Sequence, residues 1–222
     1  MVPMVRPRFH RLPAVQQETI LAAALEEFSA HGFARASLNR IIAASGISKG
    51  ALYYSFDGKE DLYAHVIRDQ LERLLADGGP FPSLEGTDAD GFWTTLEELY
   101  LHLMRRLIAN PRLSALLRDW LSSTGAPALG GAQREAEHEM MPWLLDTIAA
   151  GRRAGAVRDD VPEELLVAVA MSMGQAMDVW LVTRLDAGDA LDETVHTMMG
   201  MLRRALAPAE PPGTPTAGLS ET

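Results

Sequence analysis

From Ile20 to Leu206 apolar residues recur at spacings of three and four, and no stretch alternates apolar with polar residues as a half-buried strand would. A chain patterned in this way folds as helices. Its 222 residues suffice for one sizeable core, or for a small domain beside a larger one. We expect an all-α protein of about nine helices. The first spans about 14–31 on the stripe Ile20, Ala24, Leu25 and Phe28, with Gly32 as its stop. Ser37 caps a short second helix whose Leu38, Ile41 and Ile42 face inward, Gly46 breaks it, and Ser48 caps a third that reaches Phe56. Asp57 and Glu60 have capping-box spacing at the head of a fourth helix that runs to about Ala76. Residues 78–91 read as a linker, and helices follow at 92–109, 111–123, 132–154, 162–185 and 189–206. Past Pro208 the apolar content is too low to fold.

Composition narrows the chemistry. There is no cysteine, which removes thiolate nucleophiles, disulfides and cysteine-based zinc sites. The opening MVPMVRPRFHRLP has arginines but no apolar run, so we expect neither a signal peptide nor an anchor and place the chain in the cytoplasm. Residues 165–182 approach the length of a membrane span, yet Ser172, Gly174, Gln175 and Asp178 interrupt them, and a helix buried between protein surfaces fits better. The net charge of −10 is uneven: residues 1–60 hold seven Lys/Arg against five Asp/Glu, and residues 61–222 hold thirteen against twenty-five. That is the balance of a small nucleic-acid module on an acidic body.

The stretch SLNRIIAASGISKGALYYSF supplies the module. Two short helices around a glycine-bearing turn, with Leu38, Ile41, Ile47, Leu52 and Phe56 to pack, have the shape of a helix-turn-helix. In that geometry Ser48, Lys49, Gly50, Ala51 and Tyr53 project toward the major groove. Two near-bare positions allow close approach, Lys49 supplies charge, and the tyrosine hydroxyls can donate to phosphate. Lys59 stands where a backbone clamp would.

The segment from Thr19 to Leu62, with its GISKG turn, LYYSF helix and following KEDL, resembles the N-terminal domain of the TetR family of bacterial transcriptional regulators. The resemblance implies a three-helix DNA-binding head, an all-helical ligand-binding body, and a homodimer that usually represses. By position it implies that Ser37 and Arg40 approach the backbone or a base edge, that Ser48, Lys49, Gly50, Ala51 and Tyr53 face the groove, and that Tyr54 and Lys59 hold phosphates. Ala51 and Ser55 depart from the commonest pattern. The loss of a hydroxyl at Ala51 removes one possible phosphate contact and leaves a methyl that can meet a thymine. The organisation expected is a flexible arm over 1–13, the DNA-binding domain over 14–58, a ligand-binding and dimerisation domain over 59–207 and a disordered tail over 208–222.

Candidate ligand contacts in the body are Trp93, Leu96, Tyr100 and Met104 on one stripe and Met141, Leu144, Leu145 and Ile148 on another, together with the tryptophans Trp120 and Trp143. His102, His138, Gln175 and Asp178 are the polar handles. Asp178 either meets the ligand or lies at a dimer contact formed by the last two helices. The expected function is a ligand-responsive regulator that binds a pseudo-palindromic operator as a dimer and is released by a small, largely apolar molecule, without cofactor, metal or catalysis. Two alternatives stand beside it. Glu135 with His138 and Glu193 with His196 have the spacing of di-metal carboxylate bundles, although His196 should face solvent. A helical interaction module without DNA binding is the other, and retention of Lys49, Tyr53, Tyr54 and Lys59 argues against it.

Overall fold

The computed structural model describes residues 8–77, 83–122, 129–184 and 190–209. Among these residues the regular structure is helical throughout, with no strand. The helices are α1 (Ala14–Arg35), α2 (Leu38–Ser45), α3 (Lys49–Ser55), α4 (Lys59–Asp77), α5 (Ala89–Ile108), α6 (Pro111–Ser122), α7 (Gly130–Arg153), α8 (Glu163–Arg184) and α9 (Leu191–Leu206). The expected tail beyond residue 209 and the linker residues 78–82 lie outside the described residues.

Several boundaries moved for identifiable reasons. Gly32 does break α1, at φ 67, but one further turn follows it to Arg35. Helix α5 begins inside the expected linker because the Asp88 carboxylate accepts from the Gly91 N–H at 2.8 Å, an N-cap. Ser48 caps α3 as expected, accepting from the Ala51 N–H, whereas Ser37 caps nothing with its hydroxyl. Its N–H donates instead to Glu27 Oε1 at 2.7 Å. At the head of α4 the carboxylate that reaches back to the Asp57 N–H belongs to Asp61, not Glu60, because the helix starts one residue later than the capping box assumed.

The arm over 1–13 is not free from residue 9 onward. Residues Phe9–Arg11 form a 3-10 turn, and Phe9 is buried among Phe56 and His65. The core forms two clusters. One joins Ile20, Phe28, Ile41, Leu52 and Phe56 of the head to Tyr63 of α4 and to Leu116 and Trp120 of α6. The other joins Phe92 and Trp93 of α5 to Ile148, Leu166, Leu181 and Val195 of α7, α8 and α9. The division drawn at residue 58 is thus no break in packing, since the head's core continues into α4 and α6.

Helix α8 is not buried in the protomer. It is long and apolar enough by composition to cross a bilayer, yet only 22% of its most apolar stretch is buried. Leu165, Trp180 and, on α9, Met201 stand about half exposed.

Candidate functional site

Helices α2 and α3 pack around Gly46, whose φ of 68 places it in the left-handed region, where a Cβ is costly. Leu52 points into the core and is 1% exposed, which fixes the rotation of α3. Ser48, Lys49, Gly50, Tyr53 and Tyr54 are thereby left on the outer side, with Ala51 at its edge. The Lys49 ammonium lies 5.9 Å from the Tyr53 ring centre, so charge and aromatic edge share one face.

Two expected phosphate ligands have other partners. Arg40 forks onto Glu27, with Nε 2.9 Å from both carboxylate oxygens, and donates to the Arg35 carbonyl. Arg40 holds the Glu27 carboxyl below its usual range against burial, and the Ser37 N–H adds to that. Glu27 therefore organises the start of α2, a role that an acid within α1 did not announce. The Lys59 ammonium donates to the Ala34 and Ala36 carbonyls at 3.2 and 3.3 Å and sits 4.6 Å from the Phe33 ring centre. It ties α4 to the end of α1 and neutralises the carbonyls exposed by the break there.

In the body, the expected ligand residues separate. Trp93, Leu96, Tyr100, Met104 and Leu144 all join the second cluster, and Trp93 donates through its indole N–H to the Ala156 carbonyl. Tyr100 donates to Asp178 at 2.8 Å, which brings α5 and α8 together. Met141 is half-buried on α7, outside the cluster. Trp120 belongs to the other cluster, 5.9 Å from Tyr63 between ring centres, and so serves the junction with the head. Trp143 and Gln175 are exposed, as are His102 and His138. A separate open cleft of about 440 Å³ lies between α4 and the α5–α6 junction, bordered by Gln70, Arg73, Arg106 and Asn110. Its Arg73 is already paired with Asp69 and Glu18.

The two Glu-x-x-His pairs do not share a centre. His196 is exposed and bonds Glu97 of α5, whereas the Glu135 carboxyl lies near Arg68, Glu139 and Asp61 and is raised chiefly by burial. Among the described residues no three His, Asp or Glu side chains form a group that could hold a metal ion.

His65 carries a pH dependence. It is buried against Phe9 and Phe56, and neither ring nitrogen finds a hydrogen-bond partner among the described residues. Burial pushes its pKa down to about 4; Asp69 pulls up, Arg68 and His10 down. Because the unfolded chain takes up the proton first, stability is full above about pH 6.5 and is lost as pH falls toward 4. A loss of about 2 kcal/mol between pH 7.5 and 5 is expected in urea melts, and His65→Phe flattens it. An unchanged slope in that variant would remove His65 as the cause.

An exposed, tyrosine-bearing second helix after a glycine turn, set on a helical body, defines a helix-turn-helix DNA-binding protein. The family model described as bacterial regulatory proteins, tetR family, matches residues 20–66. The chain is 26% identical over 161 residues to the HTH-type transcriptional repressor Rv1474c of Mycobacterium tuberculosis, covering 69% of this chain and 75% of that one. Its fold matches a putative tetR family transcription regulator from Shewanella sp. PV-4 with a TM-score of 0.66 at 19% identity, over 86% of this chain and 98% of the other. It also matches the transcriptional regulator FadR of Bacillus subtilis, solved in complex with stearoyl-CoA, with a TM-score of 0.62 at 15% identity, over 83% and 96%. The chain is a helix-turn-helix transcriptional regulator whose DNA-binding segment, residues 20–66, matches the TetR family.

Proposed function

We propose that the protein is a cytoplasmic repressor that binds a pseudo-palindromic operator as a homodimer and leaves it when a small, largely apolar molecule occupies the body. The observation that carries the DNA half is the outer face of α3, where Lys49, Gly50, Tyr53 and Tyr54 stand together in water beside a buried Leu52. Ser48 and Ala51 complete that face, and Ser37, Arg40 and Lys59 flank it. The last three act chiefly by holding the helices in place.

The ligand half is supported by the Tyr100–Asp178 pair. Gly174 lies one turn before Asp178 on the same side of α8, and a side chain begun there would meet nothing within 4 Å. Trp93, Leu96, Tyr100 and Met104 line the facing helix. Asp178 has no ion-pair partner among the described residues, and burial pushes its carboxyl up to about 6 although the Tyr100 hydroxyl pulls it down. A carboxyl so placed favours an apolar effector that carries one cationic or hydrogen-donating group. The FadR complex shows that a related fold accommodates an acyl-bearing ligand.

Adjacent residues of α6 connect the neighbourhood of Asp178 to the head. Arg118 donates to the Val182 carbonyl of α8, one turn beyond Asp178, and Asp119 bonds α1 and α4. A ligand that prefers the spacing of heads unable to fit DNA lowers operator affinity 5- to 150-fold for a coupling of roughly 1–3 kcal/mol.

Selection of bound duplexes from a random pool, followed by ligand titration with and without the selected operator, tests both halves. Apolar amines are expected to bind more tightly than their neutral isosteres, and Asp178→Asn to erase that preference. The same variant reports on the fold. With the native pKa above the unfolded value, Asp178 contributes stability below about pH 4 that is lost as pH rises through 6. Asp178→Asn should therefore gain about 3 kcal/mol at pH 8 and little at pH 4. Equal binding of amine and isostere, or equal ligand affinity with and without operator, would refute the ligand half alone.

A further inference from the structure

The first acidic residue of the chain is Glu18, and Arg6, Arg8, His10 and Arg11 precede it. The structure fixes part of this basic run in place. Phe9 is 1% exposed, with its ring centre 5.0 Å from that of Phe56 and 4.9 Å from that of His65. Phe56 terminates α3, so the anchor seats the turn beside the far end of the recognition helix. Gln17 latches the turn to α1 by donating to the Leu12 carbonyl at 2.8 Å, and the Arg11 N–H closes it onto the Arg8 carbonyl at 3.2 Å.

This anchoring places Arg8 on the reading face. Its guanidinium carbon lies 4.7 Å from the centre of the Tyr54 ring, and both residues are exposed. A guanidinium over an aromatic face keeps its edge N–H groups free, and that edge is the part that recognises phosphate. Tyr54 is the penultimate residue of α3, whereas base edges are met by the N-terminal half of such a helix. A cation at this end meets the sugar-phosphate backbone beside the half-site.

Resting on the DNA-binding reading, we propose that Arg8, held by the buried Phe9 and the Tyr54 ring, is a DNA-phosphate contact that widens the interface beyond the helix-turn-helix itself. The contact contributes affinity and salt dependence and carries no base preference.

The test uses the full chain and the duplex selected by the wild-type protein, with anisotropy titrations over a salt series. Each phosphate contact contributes about 0.9 to the slope of log affinity against log salt, so loss of one per protomer makes a dimer's slope shallower by about 1.8. Arg8→Ala should show that change, with roughly tenfold weaker binding at low salt and the same preferred sequence. Arg8→Lys should keep the slope, because the charge stays. Phe9→Ala should lose the slope while retaining Arg8, since the arm comes loose. If Phe9→Ala does not fold, Arg8→Ala still decides, because it alters only an exposed side chain. Wild-type slope and affinity in Arg8→Ala, or an altered base preference, would overturn the proposal and leave the regulator reading standing. A wild-type protein that selects no duplex at any salt would take down both.

Discussion

Replacing Asp119 by alanine is expected to lower stability by about 4 kcal/mol, a fall in melting temperature of roughly 8–16 °C for a chain of this size. One carboxylate oxygen, Oδ2, accepts the Tyr63 hydroxyl at 2.6 Å and the Phe33 N–H at 2.7 Å. The second bond exists because Gly32 breaks α1, which frees the next N–H from the helical ladder. The break in turn suits glycine twice over. Its φ is positive, and a Cβ there would lie 2.7 Å from Asp119 Oδ1. A single acid thus joins α1, α4 and α6, and hydrogen bonds to a charged group contribute about 1.5–3 kcal/mol each. Tyr63→Phe removes one of the two and should cost about 2 kcal/mol, less than additively with Asp119→Ala. Denaturant melts of the two single variants and the double variant measure this. If Asp119→Ala melts within a degree or two of the wild type, the carboxylate does not hold the junction.

The head was legible because its signals are local. Gly46, Ser48 and the spacing of Ile41, Leu52 and Phe56 state a helix-turn-helix within twenty residues, and each residue sits where that pattern requires. What spans longer distances was not legible. Nothing near Glu27 announces that Arg40, thirteen residues on, will fold back upon it, or that Lys59 will seek the carbonyls at the end of α1. Phe9 read as part of an arm because its partners, Phe56 and His65, lie beyond α1, α2 and α3. Trp120 was grouped with the ligand residues on composition alone, and only the packing of α6 on α1 assigns it to the junction. Helix α8 misled for another reason. Leu, Val, Ala and Met surround it almost completely, so periodicity cannot tell its inner face from its outer one. Gln175 consequently stood among the pocket residues although it is exposed. Gly174 is a natural guess for a helix contact, yet it lies roughly 180° around the helix from the exposed Leu165, beside the space near Asp178.

The outer face of α8 gives the other large effect, on assembly and DNA together. Leu165, Ser172, Ala176, Trp180 and Thr183 fall on one side and are exposed, and Met201 of α9 adds to the apolar surface. A contiguous patch of this kind requires a cover. A bilayer is a poor one, because Asp178 lies on the same helix. A second copy related by a two-fold axis presents the same patch in return, which is the arrangement a pseudo-palindromic operator demands. Ala176→Arg tests this with little disturbance of the protomer, since alanine there is exposed and arginine is a good helix former. At the centre of a self-associating face the substitution sets two like charges against each other and buries both. We expect a dimer at micromolar concentration for the wild-type protein in light scattering, and a monomer with unchanged helicity for the variant. Operator affinity should fall by about 10²–10⁴, because the second head no longer benefits from being held near its half-site. The loss should be confined to full operators: on a single half-site, variant and wild type should bind alike. An Ala176→Arg protein that remains dimeric, or a monomer that keeps full operator affinity, would separate this face from DNA binding and leave the cover of α8 to another partner.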